Sequence, residues 1–228
     1  KGLLPPVPAT ISMQVEAMME QLRAFDTPFQ KALFLDGLRS SNETLYFRLL
    51  LEHIEEVLPL VYTPTVGEVC QKFSHLFRFA KGLYLSIEDK GHVSEILENL
   101  PQEAVDMIVV TDGQRILGLG DLGINGMGIP VGKLALYTAC AGVDPRRTLP
   151  VILDVGTNTE RYLNDPLYLG HKHPRVSGQE YDDFIEEFFQ SVYKKWPKCV
   201  VQFEDFGNNH AFDLLARYRS RYCCYNDD

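Results

Sequence analysis

The sequence predicts an α/β fold in which a helical N-terminal region precedes a mostly parallel sheet flanked by helices, in three layers. Across residues 1–80, apolar side chains recur at the three- and four-residue spacing of helices. Beyond Gly82, short runs of β-branched residues alternate with helical patterns, as in parallel sheets covered on both faces. We therefore expect a helical region over residues 1–80 and an α/β region over residues 81–228.

The N-terminal region is predicted to hold four helices. The first follows a possible cap at Ser12, and the second begins at Pro28, because proline is favoured in a first turn. A third is predicted over Leu45–Leu60, and a fourth between Gly67 and Arg78. These helices are expected to pack through their apolar stripes.

The second region is predicted to alternate strands with helices. The clearest helix is Gly178–Trp196, which has one apolar face, a capping-box pattern of Ser177 with Glu180, and Pro197 just beyond its end. Further helices are expected at 131–143 and 209–218, and strands at 83–87, 107–111, 149–153 and in the runs ending at Phe203 and Tyr225.

Composition excludes several classes of partner and location. A net charge of -9 argues against binding to a nucleic-acid backbone, which needs clustered Lys and Arg. No apolar run is long enough to cross a bilayer, so no membrane partner is expected. The five cysteines are odd in number and scattered, which favours reduced thiols in an intracellular compartment that the sequence does not specify further.

The segment Gly118–Gly123 matches the G-x-G-x-x-G fingerprint of dinucleotide-binding folds. In a true fingerprint the third glycine lies inside the helix that follows the first strand. Here Gly126, Gly128 and Pro130 intervene before a helix can run. We therefore favour a substrate-site loop or a structural turn, and a dinucleotide-binding domain remains an alternative.

Two acidic pairs each follow a predicted strand: Glu204 with Asp205, and Asp227 with Asp228. Carboxylate oxygens suit a hard divalent cation such as Mg²⁺ or Mn²⁺. Alternatively, these acids cap the helices predicted beyond them, although capping would use only one acid of each pair.

Three other side chains are candidates for chemistry. Lys133 is expected in the first turn of a glycine-entered helix, where the helix dipole lowers the pKa of an ammonium and favours a general base; the alternative is a solvated surface lysine. Tyr62 lies between a proline and a turn, and alone it reads as a packed aromatic. Arg115 could clamp a substrate carboxylate or pair with a surface acid.

These segments together resemble the malic enzyme family. The resemblance covers nearly the whole chain, and its most specific part is the glycine-rich stretch at 109–142; the others are GLLPP (2–6), VYTPTVGEVCQ (61–71), LPVILDVGTN (149–158), VQFEDFGNNHAFDLL (201–215) and YNDD (225–228). It implies the helical and substrate- and metal-binding parts of such an enzyme, without the nucleotide-binding domain. The chain alone is therefore expected to bind metal weakly and to be inactive.

By that resemblance, the complete enzyme oxidatively decarboxylates L-malate to pyruvate and CO2 while reducing NAD or NADP. Tyr62 is implied as the general acid, Lys133 as the general base and Asp227 as its assistant. Arg115 is implied to bind the substrate carboxylate and to lie near the nicotinamide. Two alternatives stay open, namely malolactic chemistry on the same scaffold and a non-catalytic module that binds dicarboxylate or metal.

The resemblance also implies the remaining partners. The ligands of Mg²⁺ or Mn²⁺ are expected to be Glu204, Asp205 and Asp228, and NAD or NADP is expected to bind mainly to the domain beyond this chain. The helical region is expected to form the interface of a homodimer or homotetramer. Ser41 stands where fumarate-activated members carry arginine, which puts that activation in doubt.

Overall fold

The computed structural model describes residues 7–227, apart from the side chain of Asn209. The chain divides into two compact units between Val66 and Gly67. The motif at 2–6 and the predicted metal ligand Asp228 lie outside the described residues. Among the described helices, none combines the length and the apolar character needed to cross a membrane.

The first unit is helical, as predicted. Its helices are α1 (Ile11–Arg23), α2 (Pro28–Ser41), α3 (Glu43–Glu52) and α4 (Ile54–Val61), and α5 (Thr65–Gln71) begins at its end. Thr10, rather than Ser12, caps α1, because its Oγ1 accepts a hydrogen bond of 3.3 Å from the Met13 N–H. Thr27 caps α2 through a capping box with Gln30.

The prediction of a single helix over Leu45–Leu60 was wrong, because two helices occupy this segment. The backbone leaves the helical conformation at His53 (φ −126°), where α3 ends and α4 begins, and Pro59 lies inside α4. Apolar residues keep their helical spacing across this break, so the spacing does not reveal it.

The second unit is built on five parallel strands, which confirms the predicted sheet. The strands are β1 (Leu83–Ser86), β2 (Met107–Thr111), β3 (Thr148–Asp154), β4 (Val200–Glu204) and β5 (Cys224–Asp227). Their order is β1-β3-β2-β4-β5, with every neighbouring pair parallel. All seven residues of β3 are buried, as expected for an inner strand covered on both faces.

Helices cover both faces of this sheet. The helices of the second unit are α6 (Phe73–Leu76), α7 (Val93–Glu98), α8 (Gly128–Ala141), α9 (Glu160–Leu163), α10 (Gln179–Lys195) and α11 (Asn208–Tyr218). Buried side chains of α7, α10 and α11 share one core with alternate residues of the strands, including Ile108 and Val110 of β2. On the other face, α8 packs against β2 and β3.

Three predictions about where helices of this unit begin, end or are capped were wrong. The helix expected to reach Arg78 is split into α5 and α6 and ends at Leu76. Gly178 precedes α10 without any side-chain cap, so Ser177 and Glu180 form no capping box. A 3₁₀ helix over Gly123–Met127 runs directly into α8, which therefore begins three residues before the expected start.

Candidate functional site

Acidic side chains collect at the carboxyl edge of the sheet. Parallel strands end at a common edge, which is where ligands bind in open α/β sheets. Asp154, Glu204 and Asp227 are the last residues of β3, β4 and β5, and Asp112 directly follows β2. Glu204 and Asp227 are also register partners on neighbouring strands, so hydrogen bonds between the strands bring the two residues side by side.

Lys133 extends from α8 to two of these carboxylates. Its Nζ lies 2.7 Å from Oδ2 of Asp227 and 3.0 Å from Oε1 of Glu204. The side chain of Lys133 is 12% exposed and that of Glu204 only 4%, so Lys133 is not a solvated surface lysine. It lies in the second turn of α8, not in the first, because the helix begins at Gly128. A buried carboxylate needs such a charged partner.

Arg115 lies at the same edge, held by the segment that follows β4. Asp205 has a left-handed backbone (φ 54°), and its main-chain oxygen accepts a hydrogen bond of 3.2 Å from the Arg115 N–H. The Asp205 carboxylate accepts another, of 3.1 Å, from the Leu117 N–H. The guanidinium of Arg115 donates to Oδ1 of Asn208 and belongs to an exposed residue. Asp205 therefore ties the Arg115 loop to the end of β4.

The remaining predicted site residues are Tyr62 and Asp228. Tyr62 belongs to the first unit, at the end of α4, where it is half-buried and its N–H donates to the Leu58 oxygen over 3.0 Å. Asp228 lies outside the described residues. Within residues 7–227, no group of three or more His, Cys, Asp or Glu side chains is placed to hold a metal ion.

The glycine motif at 118–123 forms a tight turn. Ile116 and Gly120 pair across it through a hydrogen bond of 2.9 Å, and Leu117 has a left-handed φ of 48°. Gly126 lies just beyond, where a Cβ would approach Cα of Gly113 to 3.0 Å. The turn leads into a 3₁₀ helix rather than into an α-helix, which is the arrangement expected of a structural turn.

A buried ion pair, absent from the sequence predictions, anchors this turn. Nη2 of Arg175 lies 2.7 Å from Oδ2 of Asp112, and Nη1 lies 3.3 Å from Oδ1 of Asp121. The Tyr181 hydroxyl donates to the same Asp112 oxygen over 2.9 Å. Burial first, and Asp112 second, raise the pKa of Tyr181 well above its ordinary value, so that the hydroxyl keeps its proton. The sequence around Arg175 could not predict this ion pair, because Asp112 and Asp121 are distant from Arg175 in sequence.

Comparison with known proteins assigns the chain to a family. A family model described as "Malic enzyme, N-terminal domain" matches residues 39–219. The chain belongs to the malic enzyme family. The segment 39–219 includes Tyr62, Lys133 and Glu204 but ends before β5.

Several relatives match the whole of this malic enzyme chain. It is 52% identical over 227 residues to the NAD-dependent malic enzyme 2 of Photobacterium profundum, covering 100% of this chain and 41% of that protein. It is 54% identical over 228 residues to the NADP-dependent malic enzyme of Dictyostelium discoideum, covering 100% of this chain and 42% of that protein. The chain thus spans about two fifths of the length of these relatives. The crystal structure of Entamoeba histolytica malic enzyme aligns with 97% of this chain and 37% of that one, at 18% identity and a TM-score of 0.41.

The donor atoms of this malic enzyme chain fit the divalent cation that the family resemblance implies. Glu204 and Asp205 both offer carboxylate oxygens, the ligands that Mg²⁺ and Mn²⁺ prefer. The carboxylate of Glu204 is almost completely buried, and nearby cations would stabilise its charge in the absence of water. Lys133 provides one cation, and a metal held by Glu204 and Asp205 would provide another.

Proposed function

We propose that this chain supplies the acid–base, substrate-binding and metal-binding residues of an enzyme that converts L-malate to pyruvate and CO2 while reducing NAD or NADP. The observation that carries the proposal is the contact of Lys133 with both Asp227 and Glu204 at the carboxyl edge of the sheet. The names of the relatives, NAD- and NADP-dependent malic enzymes, support the same reaction.

In the proposed reaction, Lys133 and Tyr62 move the protons. Lys133 must first lose its own proton; its neutral Nζ then takes the proton from the 2-hydroxyl of malate, and Asp227, 2.7 Å away, stabilises the ammonium that forms. After CO2 has left, the hydroxyl of Tyr62 gives a proton to C3 of the enol, which yields pyruvate. Each such proton transfer typically contributes about 10²–10⁴-fold to the rate.

Arg115 is proposed to orient the substrate. Its guanidinium belongs to an exposed residue at the site edge, and a planar fork of donors matches a carboxylate in two parallel hydrogen bonds. The backbone contact between Arg115 and Asp205 places this group next to the proposed metal ligands. A malate carboxylate bound by Arg115 would therefore lie beside them.

We assign the divalent cation to Glu204, Asp205 and Asp228. When bound, the cation would polarise the C2 oxygen of the substrate, and the nicotinamide of NAD or NADP would accept the hydride. Glu204 also contacts Lys133, so this one carboxylate would serve both the cation and the base. We further propose a homodimer or homotetramer assembled through the helical region of residues 1–80, in an intracellular compartment.

Replacement of Lys133 by alanine in the full-length enzyme tests the function. We expect Lys133→Ala to lose nearly all malate oxidation, because no other group takes the hydroxyl proton, while Mn²⁺ binding persists. The measurements are steady-state turnover of malate and calorimetric binding of Mn²⁺.

Lys198→Ala, at an exposed position, is the matched control and should keep wild-type turnover. Near-normal turnover of Lys133→Ala would remove lysine as the base. Lactate rather than pyruvate as the product of the wild-type enzyme would instead indicate malolactic chemistry.

A further inference from the structure

A buried amide, Gln202, lies behind the carboxylates of the site. It is in β4 between Val201 and Phe203, which face the core shared with α10. Its own side chain points to the opposite face of the sheet and is 0% exposed. Burying an amide lowers the stability of the fold unless its N–H donors and its oxygen form hydrogen bonds. The hydrogen-bond partners of Gln202 therefore indicate its role.

Two tyrosine hydroxyls fix the orientation of this amide. Oε1 of Gln202 lies 2.8 Å from the hydroxyl of Tyr137 and 2.9 Å from that of Tyr225. Tyr137 is on α8, one turn after Lys133, and Tyr225 is on β5, two residues before Asp227. Both hydroxyls can donate to Oε1, and they also lie 3.2 Å from each other. Because a carboxylate only accepts hydrogen bonds, the NH2 end of the amide faces Glu204 and Asp227 on the side away from the tyrosines.

The Nε2 end faces the two carboxylates that contact Lys133. It donates to Oε2 of Glu204 and lies 3.5 Å from Oδ2 of Asp227. The other oxygen of Glu204, Oε1, is the one 3.0 Å from Lys133. With one oxygen held by the amide, the plane of the Glu204 carboxylate is fixed in the orientation that contacts Lys133.

We propose that Gln202, with its amide oriented by Tyr137 and Tyr225, is the residue that positions the Glu204 carboxylate for the divalent cation. This inference rests on the proposed function. A neutral amide suits the task because it donates a hydrogen bond without adding charge. Lysine or arginine at this position would compete with the cation, and a second carboxylate would repel Glu204. Groups that hydrogen-bond to metal ligands commonly change metal affinity by about 10- to 100-fold.

Gln202→Met in the full-length enzyme tests the proposal, since methionine keeps the length of the side chain but offers Glu204 no N–H donor. We expect the dissociation constant for Mn²⁺, measured by calorimetry or by the electron paramagnetic resonance signal of free Mn²⁺, to rise roughly 10-fold or more. The Mn²⁺ concentration needed for half-maximal turnover should rise in parallel, and kcat at saturating Mn²⁺ should fall much less.

Val201→Ala is the matched control on the same strand, because it disturbs the core without touching Glu204. It should leave the Mn²⁺ dissociation constant unchanged. Wild-type affinity in a folded Gln202→Met enzyme, or equal weakening in Val201→Ala, would overturn the proposal.

The tyrosines provide a second test that leaves Gln202 in place and does not depend on the folding of Gln202→Met. Tyr137→Phe and Tyr225→Phe each leave one hydroxyl on Oε1, so each should weaken Mn²⁺ binding less than the double variant does. Wild-type affinity in the double variant would contradict the role of the amide orientation. These binding measurements are independent of the turnover of Lys133→Ala, so failure of the proposed reaction can be told apart from failure of this inference.

Discussion

Burial decides what individual side chains of this chain can do. The side chain of Lys133 is only 12% exposed, and its Nζ contacts the carboxylates of Glu204 and Asp227. The cysteines show the same effect. Cys70 and Cys199 are completely buried, and burial is the main cause that raises the pKa of each thiol to about 12. Cys140 and Cys223 are exposed, and all five cysteines are free.

We therefore expect selective modification of the thiols. At pH 8, iodoacetamide should label Cys140 and Cys223 in the folded chain, because a thiolate is the reactive form and must be accessible. Cys70 and Cys199 should be labelled only after unfolding in urea. Peptide mass spectrometry measures the labelling, and Cys140→Ser identifies that peptide. Labelling of Cys70 in the folded chain at the rate of Cys140 would contradict the expectation.

At the scale of helices and strands, the sequence predicted the elements better than their ends. The apolar runs 199–203 and 222–225 predicted β4 and β5, so the acids that follow these runs could be assigned to strand ends. The helix break at His53 and the start of α8 at Gly128 are set by local backbone conformation. The spacing of apolar residues does not reveal such helix ends. Gln202 is only two residues from Glu204, but the tyrosines that contact its amide oxygen are far away in sequence, so its role could not be predicted. The carboxylate partners of Arg175 are equally distant in sequence.

An ion pair links α10 to the segment between α11 and β5. Two nitrogens of Arg221 contact the two oxygens of Glu186, at 3.0 Å and 2.7 Å. The hydrogen bonds from Arg221 are the main cause that lowers the pKa of Glu186 below its ordinary 4.5. Because the pKa is lower in the folded state, the stabilisation is complete above the unfolded pKa and is lost as the pH falls through the folded one.

Glu186→Gln should therefore be less stable than wild type at pH 7, and the difference should shrink as the pH falls below 4.5. The effect is expected to be modest because the pair is partly solvated. Urea unfolding at pH 7 and at pH 3 measures the free energies of unfolding. Asp213→Asn, at an exposed position of α11, is the control. A difference that does not change with pH would show that lost packing, not charge, is responsible.

At the scale of the second unit as a whole, one aromatic cluster joins α10, α11 and the sheet. Phe189 of α10 stacks on Tyr218 of α11, with ring centroids 4.2 Å apart and planes 6° from parallel. It also lies 5.4 Å from the ring of Phe203 in β4, the strand that ends in Glu204. Large buried aromatic side chains contribute strongly to the stability of such a core. The cluster therefore fixes the position of the strand that carries the candidate site.

Phe189→Ala tests the importance of this cluster. Phe189 is 0% exposed, and truncation of a buried phenylalanine costs about 3–5 kcal/mol through lost burial and the cavity left behind. Phe212→Ala on α11 is the matched control, because Phe212 is 69% exposed and should cost little. Urea unfolding at neutral pH measures both. Equal losses in the two variants would show that the cluster does not dominate the stability of this unit.

The register of β4 and β5 has a consequence for how malic enzymes could be recombined. Glu204 and Asp227 are register partners, so backbone hydrogen bonds between strands set their spacing, and the twenty-odd residues between them do not. The connection through α11 could accordingly be exchanged for that of a relative, or lengthened at its loops, without moving the two carboxylates apart. A one-residue insertion within β5 has the opposite effect, because it turns every side chain beyond it to the other face of the sheet. Chimaeric enzymes should therefore tolerate junctions in the loops around α11 and fail when a junction shifts a strand.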